Sequence, residues 1–493
     1  MQDSPFQTAV PVPAAPMPAP QPLPVLVVDL DGTLIRSDML FECFWHAFAR
    51  DWRTPFWSLA GLAQGRAALK SRLAQSGPPD PATLPYCAEV LDHIRAWRAR
   101  GGRAVLVTAA DQSIAEAIGD HLGLFEAVQG SDGTTNLKGE AKAEYLDRTY
   151  GPGAYVYVGD SAVDLAVWRE AGGAVTAGAG AALRAQVQAL HPGALHLAAP
   201  TGVLRPLLRA MRPHQWLKNL LVFFPLLAAH EFQTVALLQS MLAFVAFCLV
   251  ASSVYLLNDL LDLAGDRAHP RKRHRPLASG ALALKTGMLM VPVLLGAGLV
   301  VALALEPLFL LVLGGYYTLT IAYSLWLKRK PILDICVLAS LYTFRVAAGG
   351  AATGLGLSVW LLAFSAFLFF ALAAVKRQAE LVDLAQRGVD EASGRGYRVG
   401  DLPVVTQMAT ASGFVAVLVM MLYLNEPNVL TLYHHPVLLW GACLVLLYWI
   451  SRMVLVAQRG RMNDDPVVFA ARDRVSQIVL LLMALLFAGA TLL

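Results

Sequence analysis

The chain has 493 residues, of which 56% are hydrophobic and only 15% are charged. A chain of this length exceeds one ordinary domain, and this composition is too apolar for a soluble protein, so part of the chain is expected to lie in lipid. The net charge is +4, and the basic residues form short clusters between apolar runs, which indicates membrane topology and excludes nucleic-acid binding. The five cysteines include no CxxC pair, which argues against a zinc site or a disulfide framework.

Residues 1–24 are rich in proline and alanine and contain no lysine or arginine. A signal peptide needs a basic start and an unbroken apolar region, and the repeated prolines interrupt such a region. The composition therefore predicts a disordered leader over residues 1–24.

Residues 25–200 are expected to form an α/β domain. Three short apolar runs, VLVVDL from Val25, RAVLVTAA from Arg103 and AYVYVGD from Ala154, are separated by helical patterns. These runs predict buried strands of a parallel sheet, and ligands of such sheets bind at the carboxyl ends of the strands. The mostly helical segment 38–98 is expected to form a cap over that site.

The first predicted strand ends in VVDLDGT, which places Asp29 and Asp31 two residues apart. Because Gly32 permits a turn, both carboxylates can reach one polar pocket. One carboxylate can attack phosphorus to give an aspartyl-phosphate, while the other donates and then removes protons. Such a site needs a cation to neutralise the phosphate and the paired carboxylates.

Later strand ends supply the remaining parts of a phosphatase site. Thr108 closes the second predicted strand and could hold phosphate oxygens, and Lys142 could supply a positive charge, with Lys138 as its competitor. Asp160 and Asp164 follow the third strand at a spacing suited to Mg²⁺, which prefers oxygen ligands.

These four motifs resemble those of the haloacid dehalogenase superfamily over residues 25–198, and the form DLDGT is typical of its phosphatases. A DxD pair alone would mark only a strand-end turn, but here three further elements follow in order. The resemblance implies that Asp29 is the nucleophile and Asp31 the acid/base. It also implies that Thr108 and Lys142 bind phosphate. Asp160 and Asp164, together with Asp29 and Asp31, would form a Mg²⁺ site.

Beyond Arg205 the pattern changes to apolar runs of roughly twenty residues, which is the length that spans a bilayer core of about 30 Å. Nine such runs predict a bundle of transmembrane helices, and the first of them is short. The runs cover residues 216–231, 235–257, 283–304, 307–327, 332–351, 357–375, 403–424, 435–456 and 474–493.

Lysine and arginine collect in every second connection between these runs, whereas the alternate connections hold almost none. The positive-inside rule then predicts a multi-pass protein of the cytoplasmic (inner) membrane. Its N-terminus and α/β domain would be cytoplasmic, and its C-terminus would lie on the outer side.

The second apolar run ends in NDLLDLAGD, which is followed at once by RAHPRKRHRPLASG. Asn258, Asp262 and Asp266 lie at i, i+4 and i+8 and so share one helix face, with Asp259 beside it. Carboxylates at membrane depth are costly and usually mark a substrate or ion pathway. They could hold Mg²⁺ and thereby a diphosphate leaving group, whose departure leaves a carbocation for an acceptor. The cations at 271–275 could clamp phosphate oxygens, although a solvated helix end is the simpler alternative.

Residues 205–493 resemble the UbiA-type intramembrane prenyltransferase superfamily, because NDLLDLAGD and RPLASG match its NDxxDxxxD and RPLxSG motifs. The resemblance implies nine helices around a central cavity, with a diphosphate held by Mg²⁺ near the cytoplasmic face. The aromatic prenyltransferases carry DxxxD after the sixth helix, whereas this chain has VKRQAELVDL. That segment keeps Glu380 and Asp383 and adds Lys376 and Arg377, which predicts more highly phosphorylated substrates.

Further cations accompany the segments RPHQWLKN and YSLWLKRKPILD, and Arg345 lies inside the fifth apolar run. With KRQAEL, they resemble the polyprenyl-phosphate (decaprenyl-phosphate) phosphoribosyltransferase branch of the superfamily. The candidate phosphate-binding residues of this half are Lys218, Arg271, Arg275, Lys328, Arg345, Lys376 and Arg377. The candidate metal ligands are Asn258, Asp259, Asp262, Asp266, Glu380 and Asp383, and Asp262 and Asp266 are the candidate catalytic residues.

The two halves together predict a bifunctional membrane enzyme that requires Mg²⁺ in both domains. Its partners would be phosphoribose diphosphate, a polyprenyl phosphate and the membrane, with self-association left open. Transfer of 5-phosphoribose to the lipid and removal of the 5-phosphate would give polyprenyl-phosphoryl-ribose, a pentose donor for cell-envelope glycans. The alternatives are an aromatic or quinone-pathway prenyltransferase with a phosphatase of separate purpose, and a membrane transporter with a regulatory domain.

Overall fold

The computed structural model describes residues 23–63, 65–132, 137–198, 202–391, 395–426, 433–462 and 465–492. Most of the predicted leader lies outside these residues. The chain divides into two compact units. The first, here called the α/β unit, comprises Met1–Met39, Gly61–Gln75 and Tyr86–Pro200. The second, here called the helical unit, comprises Leu40–Ala60, Ser76–Pro85 and Thr201–Leu493.

The α/β unit contains a parallel six-stranded sheet in the order β3-β2-β1-β4-β5-β6. The three strands predicted from the sequence are β1, β2 and β4, which lie side by side at the centre of the sheet and are confirmed. The strands are β1 Val25–Val28, β2 Ala104–Asp111, β3 Ala127–Ser131, β4 Tyr155–Gly159, β5 Gly173–Ala177 and β6 Leu195–Leu197.

The central strands are apolar on both faces because helices cover a parallel sheet on both sides. Val27, Val105, Tyr155 and Tyr157 are buried in one core cluster with Trp168. The helices that precede the membrane-type region are α1 Met39–Arg50, α2 Thr54–Ala63, α3 Arg66–Gln75, α4 Ala88–Ala99, α5 Gln112–Leu122, α6 Glu140–Tyr150, α7 Leu165–Glu170 and α8 Ala181–Leu190.

The segment predicted as a cap, 38–98, is mostly helical, but it does not belong to one unit. Most of α1 and α2 groups with the helical unit, whereas α3 and α4 group with the α/β unit.

The rest of the helical unit is built from long apolar helices and the shorter helices between them. These are α9 Leu204–Met211, α10 Phe224–Ala228, α11 Thr234–Leu261, α12 Leu263–Ala268, α13 Leu284–Ala302, α14 Pro307–Leu325, α15 Leu333–Thr353, α16 Val359–Gln386, α17 Leu402–Tyr423, α18 Val437–Gln458, α19 Pro466–Arg472 and α20 Arg474–Leu492. Within the described residues, eight helices are long and apolar enough to cross a membrane: α11, α13 to α16, α17 with the turn before it, α18 and α20. These helices indicate a multi-pass membrane protein.

The first of the nine predicted runs, 216–231, is not one long α-helix. It forms a 3₁₀ segment, Pro213–Phe223, followed by the short helix α10. Pro225 lacks an N–H and its ring would clash inside a continuous α-helix, so the chain changes its winding there. This segment is not among the helices of the described residues that are long and apolar enough to cross a membrane.

A buried ion pair joins α1 to the short helix α12, which follows α11. The guanidinium of Arg267 donates to both carboxylate oxygens of Glu42 at 2.7 and 2.8 Å, and both side chains are almost inaccessible to solvent. Trp45 packs beside this pair in a cluster with Leu260 and Leu277. Two parallel bonds fix both groups, so α1 and α12 are held in one relative position.

We expect Glu42→Ala to destabilise the helical unit, because it leaves the Arg267 guanidinium buried with only the Ala278 carbonyl, 3.0 Å from Nε, as a partner. Breaking a buried pair in this way costs roughly 3–5 kcal/mol. Glu391→Ala is the matched control, since the pair of Glu391 with Arg398 is exposed and is worth about 1 kcal/mol or less. The measurement is the thermal unfolding midpoint of the full-length protein in detergent, and equal shifts for both variants would contradict the account.

Candidate functional sites

Carboxylates of the α/β unit converge at the carboxyl ends of β1 and β4. Asp29 follows β1, and Asp160 follows β4. Candidate ligand oxygens of Asp29, Asp160 and Asp164 lie within 4.8 Å of one another. Gly32 makes this approach sterically feasible, since its φ is +74° and a Cβ there would lie 2.1 Å from Oδ2 of Asp160. The sequence prediction of a strand-end turn at Gly32 thus has a specific cause, which is the closeness of Asp160.

One hydrogen-bonded chain links the predicted nucleophile to the predicted metal residues. Lys142 Nζ donates to Asp29 Oδ1 at 2.7 Å and to the hydroxyl of Tyr157 at 3.1 Å. The Tyr157 hydroxyl donates to Asp164 Oδ1 at 2.9 Å. Of the two candidate lysines, the structure places Lys142 beside Asp29, while Lys138 is exposed. Sequence reasoning missed Tyr157, because a tyrosine inside an apolar strand looks like any other core residue.

Burial raises the pKa of two carboxylates in this cluster, Asp160 and Asp29. The pKa of Asp160 rises to about 8 because of burial and the neighbouring charges of Asp164 and Asp29. The pKa of Asp29 is also raised by burial, although Lys142 opposes the shift. A hard cation, which prefers oxygen ligands, offsets the repulsion between carboxylates crowded in this way. The donor set of Asp29, Asp160 and Asp164 therefore suits Mg²⁺.

Asp31 and Thr108 lie in the same region and have their own partners. Asp31 Oδ1 accepts the backbone N–H of Met39 at 2.8 Å, and its pKa is raised to about 8 by burial and by the charge of Asp38. Thr108 is fully buried, and its Oγ1 accepts the N–H of Ala110 at 3.0 Å. Strand β2 continues to Asp111, so Thr108 does not close the strand as the sequence suggested.

Lys70, on α3, is a second cation near this site. Its Nζ donates to the carbonyl of Ala109 at 2.6 Å. Burial lowers its pKa, while the charges of Asp31 and Asp38 oppose that shift. Sequence reasoning missed Lys70, because a single lysine in a helix resembles a solvated surface position.

We expect Mg²⁺ to raise the thermal unfolding midpoint of the full-length protein, since a cation that binds only the folded state stabilises it, by about 2.7 kcal/mol at a hundredfold excess over Kd. Asp160→Asn should reduce this Mg²⁺-dependent increment, even if removing one crowded carboxylate stabilises the metal-free protein. Asp147→Asn is the control, because Asp147 accepts a hydrogen bond from Tyr155 outside the cluster. An unchanged increment in Asp160→Asn would refute the metal site.

The predicted polar stripe of the helical unit lies across the junction of α11 and α12. Helix α11 ends at Leu261, and α12 begins at Leu263. Two backbone hydrogen bonds continue the helical spacing through the junction. The N–H of Asp262 donates to the carbonyl of Asn258 at 2.9 Å, and the N–H of Asp266 donates to the carbonyl of Asp262 at 2.8 Å. Asn258, Asp262 and Asp266 therefore keep the one-sided arrangement that the sequence predicted.

Cations already occupy most of these carboxylates. Lys328 Nζ donates to Asp262 at 2.8 Å, and Arg275 donates to Asp266 at 2.6 Å and to Asp259 at 3.0 Å. Asp259 also accepts from Arg212. With two arginines on its buried carboxylate, Asp259 is better suited to positioning Arg212 and Arg275 than to holding a metal.

Asp262 differs from Asp259 in its surroundings. The side chain of Asp262 is 45% exposed, whereas that of Asp259 is 2% exposed. Burial raises the pKa of Asp266 to about 6 despite its pairing with Arg275. Within the described residues, the only group of three or more His, Cys, Asp or Glu side chains close enough to share a metal ion is the one in the α/β unit. The metal ligands of the helical unit thus remain a prediction that requires the cations to give way.

The predicted site residues of α16 are also paired. Arg377, fully buried, donates to Asp334 at 2.5 Å and to Glu380. Arg395 lies 3.4 Å from Glu380. Asp383 lies 3.6 Å from Arg271. Arg377 is therefore committed to carboxylates of its own unit, while the exposed pair of Arg271 and Asp383 brings the two acidic segments together.

Two predicted phosphate-binding lysines meet on a residue that sequence reasoning missed. Lys218 and Lys376 donate to the same oxygen of Asp465, at 2.6 and 3.2 Å. The Tyr342 hydroxyl donates to the other oxygen at 3.0 Å, and the N–H of Val467 at the start of α19 does so at 3.2 Å. The two lysines hold the pKa of the Asp465 carboxyl well below its usual range. In the sequence, an aspartate before Pro466 indicates the start of a helix but does not indicate a contact with the two lysines.

Arg345 lies close to this cluster, and its partners are uncharged. It donates to Oδ1 of Asn219 at 2.8 Å, to the Tyr316 hydroxyl at 2.9 Å and to the Leu341 carbonyl at 2.5 Å. Its guanidinium also lies over the rings of Tyr316 and Tyr342. An intramembrane arginine held by neutral acceptors and aromatic rings keeps its whole charge available to an anion.

Comparisons with known proteins agree with this division. Residues 219–478 match the UbiA prenyltransferase family, and residues 26–169 match the haloacid dehalogenase-like hydrolases. The chain is 39% identical over 476 residues to an uncharacterized protein y4nM of Sinorhizobium fredii, covering 94% of this chain and 90% of that protein. It is also 39% identical over 277 residues to the nodulation protein NoeC of Azorhizobium caulinodans, covering 56% of this chain and 90% of that protein.

A third relative is a decaprenyl-phosphate phosphoribosyltransferase of Mycolicibacterium smegmatis, 41% identical over 194 residues. That match covers 38% of this chain and 60% of the relative. The family match extends over more than half of the chain and includes the NDLLDLAGD and RPLASG segments. The chain is therefore a member of the UbiA prenyltransferase family that carries a haloacid dehalogenase-like hydrolase domain at its N-terminal end.

Proposed function

We propose that the helical unit transfers 5-phosphoribose from phosphoribose diphosphate to a polyprenyl phosphate, and that the α/β unit then removes the 5-phosphate. The product would be polyprenyl-phosphoryl-ribose, a lipid-linked pentose for cell-envelope glycans. The observation that carries this proposal is the number of cations gathered around the acidic motifs and in the interior of the helical unit.

This excess of positive charge favours a donor with several phosphates. A prenyl diphosphate presents one diphosphate group, whereas phosphoribose diphosphate also carries a 5-phosphate, and the acceptor adds a lipid phosphate. Lys328 and Arg275 pair with Asp262 and Asp266 of the acidic motif. Three further cations lie in the buried cluster around Asp465 and Asn219, namely Lys218, Lys376 and Arg345. The decaprenyl-phosphate phosphoribosyltransferases among the relatives support the same substrate class.

In the helical unit, Asn258, Asp262 and Asp266 would hold Mg²⁺, with Glu380 and Asp383 on the opposite segment. The metal would act as a Lewis acid toward the diphosphate leaving group. Lys328 and Arg275, released from Asp262 and Asp266, would then contact phosphate oxygens, since the same cation can serve either anion. The C–O bond between the anomeric carbon and the diphosphate breaks, and an oxygen of the lipid phosphate forms the new bond.

In the α/β unit, an oxygen of Asp29 would attack phosphorus of the 5-phosphate while the bond from phosphorus to the ribose oxygen breaks. Asp31 gives its proton to that ribose oxygen and then takes a proton from the water that hydrolyses the aspartyl-phosphate, releasing phosphate. Burial and the charge of Asp38 raise the pKa of Asp31 to about 8, which favours the protonated form that the first step requires. Lys142 and the N–H groups after Thr108 would bind the phosphate oxygens, and Mg²⁺ at Asp29, Asp160 and Asp164 would offset the charge.

Both reactions would take place on the cytoplasmic side of the inner membrane. The support is the distribution of lysine and arginine, which favours the connections on the same side as the α/β domain. On this topology the C-terminus lies outside.

The direct test supplies membranes with ribose-labelled phosphoribose diphosphate and a polyprenyl phosphate. Wild-type protein should yield a labelled lipid without a 5-phosphate, and Asp29→Asn should yield the same lipid with the 5-phosphate retained. Asp262→Asn should abolish labelling of the lipid, because the donor site is lost. Asp147→Asn, outside both sites, serves as the control for folding.

No labelled lipid from the wild type would refute the transferase assignment. Labelling of an aromatic acceptor by a prenyl diphosphate would instead favour the quinone-pathway alternative. Loss of all lipid labelling in Asp29→Asn would refute the division of labour between the two units.

Asp465 gives a second prediction for the transferase. Asp465→Asn should lower transferase kcat/KM by a factor of about ten or more, because Lys218 and Lys376 lose the shared carboxylate that positions them, at 1.4 kcal/mol for each factor of ten. Asp473→Asn is the matched control: Asp473 also caps a helix and accepts two bonds from Arg452, but contacts no candidate phosphate-binding residue. The measurement is transferase kinetics at matched unfolding midpoints, and equal losses in the two variants would contradict this role.

A further inference from the structure

Helix α2 turns its apolar side chains outward. Trp52, just before the helix, is 52% exposed, and Phe56, Leu59 and Leu62 are 66, 69 and 48% exposed. The opposite face is small or polar and is buried, with Thr54 at 0% and Ser58 at 8% exposure. A surface helix of a soluble domain has the reverse arrangement, with its apolar stripe toward the core. The outward face therefore needs an apolar partner.

This degree of exposure is characteristic of the membrane-type helices. Leu311 and Val300, on helices that are candidate spans, are 73 and 68% exposed. Within the described residues of the α/β unit outside α2, the large apolar side chains that are exposed, namely Val163, Leu190 and Leu195, all lie between 41 and 45%. Phe56 and Leu59 thus resemble side chains that face lipid.

The packing of α1 sets the depth at which α2 lies in the helical unit. Trp45 of α1 belongs to one buried cluster with Leu260 and Leu263, at the junction where α11 ends. Ala210 of α9 lies in the same cluster. The end of a candidate span is where hydrocarbon gives way to headgroups. Only three residues separate α1 from α2, so α2 begins near that level.

The surrounding charges and aromatic rings suit a membrane surface. Arg50 and Arg53 flank the apolar face and are exposed, and the Arg53 guanidinium lies over the Trp52 ring at 5.7 Å from its centroid. Helix α9 repeats the pattern, with Leu204 70% and Leu208 45% exposed between arginines. Arginines beside tryptophan and phenylalanine are typical of segments that lie in the interface of an anionic membrane.

We propose that α2 lies in the lipid interface, with Trp52, Phe56, Leu59 and Leu62 inserted among the acyl chains and Arg50 and Arg53 at the headgroups. The partner is the bilayer itself rather than another protein. This interface would retain α1 and α2, which belong to the segment predicted as the phosphatase cap, at the surface where a lipid-linked phosphomonoester resides. The last consequence rests on the proposed function, whereas insertion of α2 does not.

The test uses the full-length protein with Cys336→Ser in nanodiscs containing anionic lipid. The other four cysteines are buried. A fluorescent label is attached at Phe56→Cys and quenched with lipids that carry a spin label near the top of the acyl chain. Leu311→Cys in a span is the positive control, and Glu144→Cys, exposed on α6, is the negative control. The label at 56 should be quenched, and more strongly by shallow than by deep spin labels.

Quenching no greater than at position 144 would overturn the proposal. A second pair of results would also overturn it: no quenching by lipid of the label at position 56, together with a disulfide between two copies of the unlabelled Phe56→Cys variant. The apolar face of α2 would then be a protein interface.

A kinetic arm separates this proposal from the proposed function. The variant with Phe56→Asp and Leu59→Asp should raise the KM for a lipid-linked phosphomonoester about tenfold, through lost apolar burial. Hydrolysis of a small soluble phosphomonoester should be unchanged, and Leu190→Asp is the matched control. If α2 is quenched but no lipid-linked phosphomonoester is hydrolysed, the insertion stands and the phosphatase assignment fails. If the lipid is hydrolysed with equal KM by the variant, insertion has no role in catalysis and its proposed consequence is wrong.

Discussion

The structure depends on one constraint, which is that a charge removed from water must have a partner. In the helical unit, Asp334 and Arg377 are fully buried and are bonded to each other. Breaking such a pair costs several kcal/mol, because the remaining charge stays buried. Buried ion pairs of this kind also fix the positions of the segments that carry them. The pairs of Asp465 with Lys218, Glu42 with Arg267 and Asp259 with Arg212 join residues 247, 225 and 47 positions apart, and each fixes a short segment or helix end that carries a motif residue.

The same constraint determines which motif carboxylates can exchange a bonded cation for a metal ion. Asp262 is half-exposed and held by a single lysine, whereas Asp259 is buried and held by two arginines. A partner near water is worth little, so Lys328 can leave Asp262 at small cost when another cation and anion arrive together. Asp259 has no such freedom. We therefore infer that the two neighbouring aspartates of one motif have different tasks, with Asp262 able to bind a metal and Asp259 placing the arginines.

The sequence predicted the architecture well because its signals are local. Strands β1, β2 and β4 were recognisable as apolar runs ending in polar residues, and the long apolar helices followed from their length and composition. The first predicted span was the exception, because Pro225 changes the winding of a segment whose composition alone resembles a helix. The division of the predicted cap between two units also had no local signal, since it depends on Glu42 meeting Arg267 from 225 positions away.

The sites were predictable in residue type and less so in their contacts. Motif spacing gave the carboxylates and many of the cations, but not which cation meets which carboxylate. Tyr157 and Asp465 were missed because each acquires its role only through partners that are distant in sequence. The central claim, that Asp262 and Asp266 exchange their cations for a metal-bound diphosphate, is tested most directly by an experimental structure with Mg²⁺ and phosphoribose diphosphate. The account predicts Asp262 on the metal with Lys328 on a phosphate oxygen. A bound donor with the Asp262–Lys328 and Asp266–Arg275 pairs intact would contradict it.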